Sequence, residues 1–259
     1  MINLKKYLKG KNNLLFFILF LICSCVGGII GGVFANRLFS SGNVNQNGVS
    51  LQNANTAMST SQIVALVDDS VVEIETEVVS SEDMKTSGTV VSAGSGVVLT
   101  ANGYIVTNAH VVESAKTIKV KLHNEKEYDA RLVGANEDKD IAVLKIEAIG
   151  LEPVTFRNSE KTQVGERVIV IGNPLGALGG SVSDGVISAV DRTLNVNGKD
   201  MTLIQTNAEI NHGNSGGGMF GEDGQFIGLV VAKSAGDDVE GLGFAIPSNI
   251  VKDVVDKLM

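Results

Sequence analysis

From residue 71 onward the chain is a succession of short β-branched runs, each closed by a turn, and this pattern constrains its fold more than any other feature. Val71–Val79, Gly96–Thr100, Tyr104–Val112, Thr117–Leu122, Tyr128–Val133 and Ile141–Ile146 form one set. Val154–Phe156, Arg167–Ile171, Gly185–Val190, Leu203–Thr206, Phe226–Val231 and Gly243–Ile246 form a second. Turn residues such as Ala101-Asn102-Gly103 and Glu222-Asp223-Gly224 separate them. About twelve strands in two sets of six predict an all-β protein built as two packed six-stranded β-barrels. A short helix is expected over Ser61–Val67. Ser248-Asn249 is expected to cap a final helix over 248–258, with Ile250, Val254 and Leu258 on one face.

Composition agrees with many tight turns: 30 glycines against 3 prolines in 259 residues. The only two cysteines, Cys23 and Cys25, lie near the N-terminus, so no disulfide framework holds the β-rich part together. Charge is divided unevenly. Lys5, Lys6, Lys9, Lys11 and Arg37 are the only charged side chains of the first forty residues; because the total is −8, the rest carries −13. An acidic domain lacks the electrostatic footprint of a nucleic-acid binder, and that class is excluded.

The basic end introduces a second feature. Leu14 to Phe34 is uninterrupted by charge, and as a helix it reaches about 30 Å, the thickness of a bilayer's hydrocarbon core. The lysines ahead of it orient such a span with the N-terminus in the cytoplasm. The favoured reading is a retained single-pass anchor at 14–35, after a basic tail at 1–13. Two processed forms stand beside it: a cleaved signal ending at Val33-Phe34-Ala35, and a lipobox-like Ile22-Cys23-Ser24-Cys25. Residues 36–60, rich in Ser, Asn, Gly and Gln, read as a flexible tether. The globular domain is then 61–259, with barrel 1 over about 71–150 and barrel 2 over about 151–247.

The chemistry concentrates at Gly213-Asn214-Ser215-Gly216-Gly217. A serine among glycines permits a sharp turn that exposes the hydroxyl and aims backbone N–H groups at one point. Such donors stabilise a developing oxyanion by roughly 3–4 kcal/mol each. The α/β-hydrolase elbow has the same G-x-S-x-G spacing, but it needs a histidine downstream, and none follows His212. His123 lies in a polar turn, and His212 is only three residues from the serine. His110, at the end of an apolar strand, is the natural base. Asp140 stands directly before the buried run Ile141–Ile146, where a carboxylate needs a partner. His110 is that partner: Asp140 holds Nδ1–H, and Nε2 is left to take the proton of Ser215.

Six motifs in order carry a resemblance: Gly94-Ser95-Gly96-Val97-Val98, Thr107-Asn108-Ala109-His110-Val111-Val112, the run 138–146, Ile171-Gly172-Asn173-Pro174-Leu175-Gly176, the run 205–217, and Gly243-Phe244-Ala245-Ile246-Pro247-Ser248. Over about residues 60–259 the chain resembles the protease domain of the HtrA/DegP family, trypsin-like serine proteases of protein quality control. The resemblance implies His110 as general base, Asp140 as its orienter and Ser215 as nucleophile. It implies an oxyanion hole made by the N–H groups of Gly213, Asn214 and Ser215. The substrate pocket falls to Glu209, Ile210, Ala232, Lys233 and Leu242. No metal or cofactor is implied; the substrates are unfolded or misfolded proteins and the oligomer a homotrimer. Asn214 stands where trypsin has the aspartate that pairs with a freed N-terminus, so activation by that route is not expected. A PDZ module after the domain is not expected.

Some positions depart from the family pattern. Asn207 replaces an aspartate, His212 and Gly218 stand where proline is common, and Val231 takes the place of a threonine whose hydroxyl supports the catalytic aspartate. Glu209 and Lys233 place charges in a pocket the family keeps apolar. Two functions are therefore weighed. One is a membrane-anchored extracytoplasmic serine endopeptidase; the other is a weak or inactive relative that binds unfolded chains or partner proteins.

Overall fold

The computed structural model describes residues 58–80, 88–172, 181–196, 199–211, 213–231 and 242–259. The chain divides into Met1–Asn55 and Thr56–Met259. The proposed anchor and most of the tether, His212, Ala232 and Lys233 lie outside the described residues. Among the described residues no helix is long and apolar enough to cross a membrane.

Helix α1 (Thr60–Val67) opens the domain, followed by a 3-10 turn at Asp68–Ser70. Strands β1 (Val71–Ser80), β2 (Gly88–Val98) and β3 (Tyr104–Thr107) lead into α2 (Ala109–Val112). After them come β4 (Thr117–Lys121), β5 (Glu127–Asn136) and β6 (Ile141–Ile146). These six strands close into a barrel in the order β1-β2-β3-β6-β5-β4. A second barrel uses β7 (Arg167–Gly172), β8 (Ser181–Val196), β9 (Lys199–Thr206), β10 (Gly218–Gly221), β11 (Phe226–Val231) and β12 (Gly243–Pro247). Its order, β7-β8-β9-β12-β11-β10, repeats that of the first. Helix α3 (Ser248–Leu258) completes the domain. Closure removes free sheet edges, which an antiparallel sheet of this size must otherwise protect.

The apolar runs read as strands because several are buried on both faces. In β6, Ala142, Leu144 and Ile146 fill the inside of barrel 1. Ile141 and Val143, on the other face, join Ile169, Ile171, Leu203, Phe220 and Leu229 of barrel 2 in one continuous cluster. Barrel 2 has its own interior of Val168, Val170, Ile187, Ile204, Met219 and Ile227. The molecule thus has three apolar layers, and the middle one joins the barrels. Helices α1 and α3 also bridge them. α1 leads into barrel 1 but seats on barrel 2, where Arg167 bonds the hydroxyl of Thr60 and Ile63 is fully buried. α3 leaves barrel 2 and brings Leu258 against Gly134 of β5, where an added Cβ would lie 3.0 Å from Leu258 Cδ2.

Four local details differ from the sequence reading. The run Tyr104–Val112 is a strand only to Thr107; its end coils into α2. Val154–Phe156 forms no strand, only an isolated bridge between Phe156 and Phe226. Conversely, Gly218–Gly221 is a strand, although two of its four residues are glycine. A Cβ at Gly218 would lie 2.4 Å from the Phe220 ring, so the glycine makes room for a core aromatic. The cap of α3 also differs: Pro247 is the N-cap, and no side chain caps the helix. The Ser248 hydroxyl instead donates to the Arg157 carbonyl at 2.5 Å. Asn249 Nδ2 donates to Asn158 Oδ1 at 2.8 Å.

Because Ile63 anchors α1 in the inter-barrel layer, Ile63→Ala is expected to cost about 2–5 kcal/mol, read as a lowered urea midpoint. A loss under about 1 kcal/mol would mean that α1 is not part of the cooperative fold.

Candidate active site

His110 and Asp140 meet because β3 and β6 are neighbours. These strands run antiparallel with Thr107 opposite Ala142, so residues just after β3 lie beside residues just before β6. His110 is the second residue of the single-turn α2. Asp140 ends a turn in which its N–H donates to the Glu137 carbonyl at 3.3 Å. Its φ of +52° lies in the left-handed region, which aspartate enters more readily than most residues. The fully buried Asn108 donates from Nδ2 to the Asp140 carbonyl at 3.0 Å and holds that backbone in place.

The Asp140 carboxylate takes two bonds from one residue. Oδ1 accepts the His110 backbone N–H at 3.0 Å, and Oδ2 lies 2.7 Å from His110 Nδ1. Two points of attachment fix both the position and the plane of the imidazole. An ionised carboxylate only accepts, so the neutral ring carries its proton on Nδ1 and keeps the Nε2 lone pair open. The side chains are 20% and 14% exposed, which leaves the pair in an environment more favourable to charge interaction than bulk water.

Ser215 sits in the segment between β9 and β10. Gly213 and Gly216 have φ of +96° and +83°, conformations that glycine adopts without strain. The turn is closed by Gly217 N–H to the Asn214 carbonyl at 2.9 Å and fastened to β11 by Gly216 N–H to the Val230 carbonyl at 2.9 Å. It rests on barrel 1: a Cβ at Gly216 would lie 2.1 Å from the Ser95 carbonyl oxygen and 2.3 Å from Thr107 Oγ1. Thr107 ends β3, three residues before His110, so the serine turn packs against the strand that delivers the histidine. The Asn214 N–H donates to the Asn211 carbonyl at 3.0 Å. This bond occupies the N–H of Asn214, one of the expected oxyanion donors.

A cavity of about 530 Å³ opens beside His110 and Asp140. Val112, Leu132 and Met201 give it apolar walls, and Glu113, Glu137 and Lys199 add charge. Barrel 1 and the β8–β9 hairpin both contribute, which makes it a cleft between barrels. Of the expected substrate-pocket residues, Ile210 packs against the interior of barrel 2, and Leu242 is 41% exposed. Glu209 is exposed, and its Oε1 accepts Asn211 Nδ2 at 2.9 Å. Asn207 performs the accepting role an aspartate would have: its Oδ1 takes the Val186 N–H at 2.8 Å. Val231 is a buried apolar residue of the inter-barrel layer, without a hydroxyl to offer Asp140. Among the described residues no cluster of side chains suits a metal ion.

Asn108, Ser95 and Thr107 stood in the sequence motifs without an assigned role. Their signal was polarity in apolar surroundings: all three are completely buried.

Comparison with known proteins fits this arrangement. Residues 94–229 match the family described as trypsin-like peptidase domain, more than half of the chain. The chain belongs to that class. It is 42% identical over 189 residues to the serine protease Do-like HtrA of Bacillus subtilis, an alignment covering 70% of this chain and 41% of that protein. It is 43% identical over 172 residues to the serine endoprotease DegS of Haemophilus influenzae, covering 64% and 50%. A solved structure, the HtrA-type protease AlgW with decapeptide, superposes with a TM-score of 0.68 at 32% identity, covering 78% of this chain and 67% of that one. Within the trypsin-like peptidases the chain is a member of the HtrA/DegP family. It spans between two fifths and one half of the length of the two curated relatives.

Gly216→Ala introduces both a left-handed strain and a clash with the Ser95 carbonyl. We expect the variant to lose reaction with a fluorophosphonate probe at Ser215; unchanged labelling would show that the turn tolerates a Cβ there.

Proposed function

We propose that this chain is a serine endopeptidase of protein quality control that cuts unfolded or misfolded polypeptide through Ser215, His110 and Asp140. The two-point hold of Asp140 on His110, at 3.0 and 2.7 Å, carries this reading. It is the arrangement that prepares a neutral imidazole to accept a proton at Nε2. Relatives at 42–43% identity that bear the names serine protease and serine endoprotease support it.

Ser215 Oγ attacks the scissile carbonyl while its proton passes to His110 Nε2. The oxygen of that carbonyl takes up negative charge facing the N–H groups of Gly213 and Ser215. His110, now an imidazolium stabilised by Asp140, returns the proton to the leaving amine, and an acyl-enzyme remains. Water, deprotonated by His110, then attacks the ester and frees Ser215. The cleft beside His110 receives an extended chain, and a folded protein offers few such segments. A family structure with a bound decapeptide is consistent with this class of substrate.

The run from Leu14 to Phe34 and its flanking lysines support a single-pass anchor with the protease domain outside the cytoplasm. The family resemblance supports a homotrimer. Val231 favours one rival reading, a weak or inactive module that binds chains without cutting them, because among the described residues Asp140 takes its carboxylate bonds from His110 alone.

Ser215→Ala in the full chain is expected to lower kcat for casein cleavage by about 10⁴–10⁶. Asp140→Asn, which disturbs the tautomer, is expected to lower it by about 10⁴. A wild type that neither cleaves casein nor reacts with a fluorophosphonate, with or without unfolded protein present, would establish the rival. Anchoring is checked separately: the full chain should stay with membranes through an alkaline carbonate wash and leave them in detergent. Release by carbonate would remove the anchor.

A further inference from the structure

We infer that Ser95, a residue of barrel 1, is the positioning residue that sets the peptide groups around the nucleophile, and that its hydroxyl is required for the rate of acyl transfer rather than for substrate binding. The inference rests on the serine-protease reading above and assigns a new role within that site.

Three consecutive peptide groups run through the Ser215 turn, and the direction of each is set by where its carbonyl bonds. The Gly213 carbonyl accepts the Ser95 hydroxyl at 2.7 Å. The Asn214 carbonyl accepts the Gly217 N–H at 2.9 Å, and the Ser215 carbonyl accepts the Ser95 N–H at 2.8 Å. Two of the three are therefore held by one residue of the other barrel, 118 positions away in the chain. In a planar trans peptide the C=O and N–H point in opposite directions. Fixing the Gly213 carbonyl on Ser95 turns the Asn214 N–H the other way, toward its partner at Asn211. Fixing the Ser215 carbonyl turns the Gly216 N–H toward Val230. These two constraints enclose the 214–215 peptide, whose N–H is one of the two proposed oxyanion donors.

Ser95 is itself immobilised. It is completely buried, and its carbonyl accepts the Thr107 hydroxyl at 2.7 Å. Neighbouring Gly94 packs on Val111, next to His110, where an added Cβ would lie 2.6 Å from a Val111 methyl. One short stretch of β2 thus touches the strand that delivers the base and the turn that carries the nucleophile. Oxyanion donors act only when aimed beforehand at the place where charge develops. Loss of the Ser95 hydroxyl releases the Gly213 carbonyl and with it the aim of the turn. The loss acts on the transition state, while contacts to the substrate chain remain.

The test uses the full chain in detergent micelles and a fluorophosphonate probe, whose phosphoryl oxygen must enter the same hole. Maximal labelling rate and probe affinity are measured separately. Ser95→Ala is expected to label roughly 10–100-fold more slowly, with affinity changed less than about threefold. The pH giving half-maximal labelling, which reports His110, should not move. Ser95→Cys, similar in volume but a weaker donor, should fall between Ser95→Ala and wild type. A Ser95→Ala protein with a lowered melting temperature but a wild-type labelling rate would overturn the inference, as would a change confined to affinity or a moved pH midpoint. If Ser95→Ala does not fold, Ser95→Cys decides: slower labelling at an unmoved midpoint supports the role, and a wild-type rate overturns it. A wild-type chain that fails to label overturns the protease reading itself and this inference with it.

Discussion

In the first barrel β3 and β6 run side by side with Thr107 opposite Ala142, and the chemistry of the molecule depends on that register. It sets Asn108 and His110 beside Asp140 without any long loop to organise them. A shift of one residue would turn the strand's side chains to the opposite face, emptying the barrel interior of Leu144 and Ile146 and separating His110 from Asp140. The same apolar alternation that stabilises the barrel therefore also guarantees the geometry of the base. Asp140 completes the arrangement with a left-handed φ, a local strain of order 1 kcal/mol or more offset by its bonds to Asn108 and His110.

Dividing the site between two barrels gives the apolar layer between them a functional meaning. Ile141 and Val143, the strand residues that follow Asp140, share that layer with Ile171, Phe220 and Leu229 of barrel 2. α1 and α3 add further bridges, each belonging in sequence to one barrel and resting on the other. A change in how the barrels sit would reach the active site directly, since Ser95 and Thr107 contact the serine turn across that boundary.

Much of this was legible in the sequence, for identifiable reasons. The strands at Ile141–Ile146 and Phe226–Val231 could be read because both faces are buried, so hardly a polar residue interrupts them. Asp140 could be paired with His110 because a carboxylate beside a buried strand requires a partner. The failures were equally physical. Gly218–Gly221 was not among the strand runs, yet it pairs as a strand in which Gly218 makes room for Phe220. Val154–Phe156 has strand composition but forms only an isolated bridge, Phe156 with Phe226. Ser248 has the chemistry of a helix cap, but Arg157, 91 residues away, claims its hydroxyl. Propensity describes a residue and its near neighbours, and in each case a distant partner decided the outcome.

The amino-acid sequence by itself determined the β-barrel class and the order of the motifs, and it singled out His110, Asp140 and Ser215 as candidates for this chemistry. It did so because hydrophobic period, turn residues and reactive side chains are local properties. Tertiary structure alone decided that the Asn214 N–H turns to Asn211 and that Ser95 fastens the turn from the opposite barrel. Those properties depend on the directions of peptide groups. A peptide group's direction is set by the partner it meets across the fold, and no spacing along the chain encodes it.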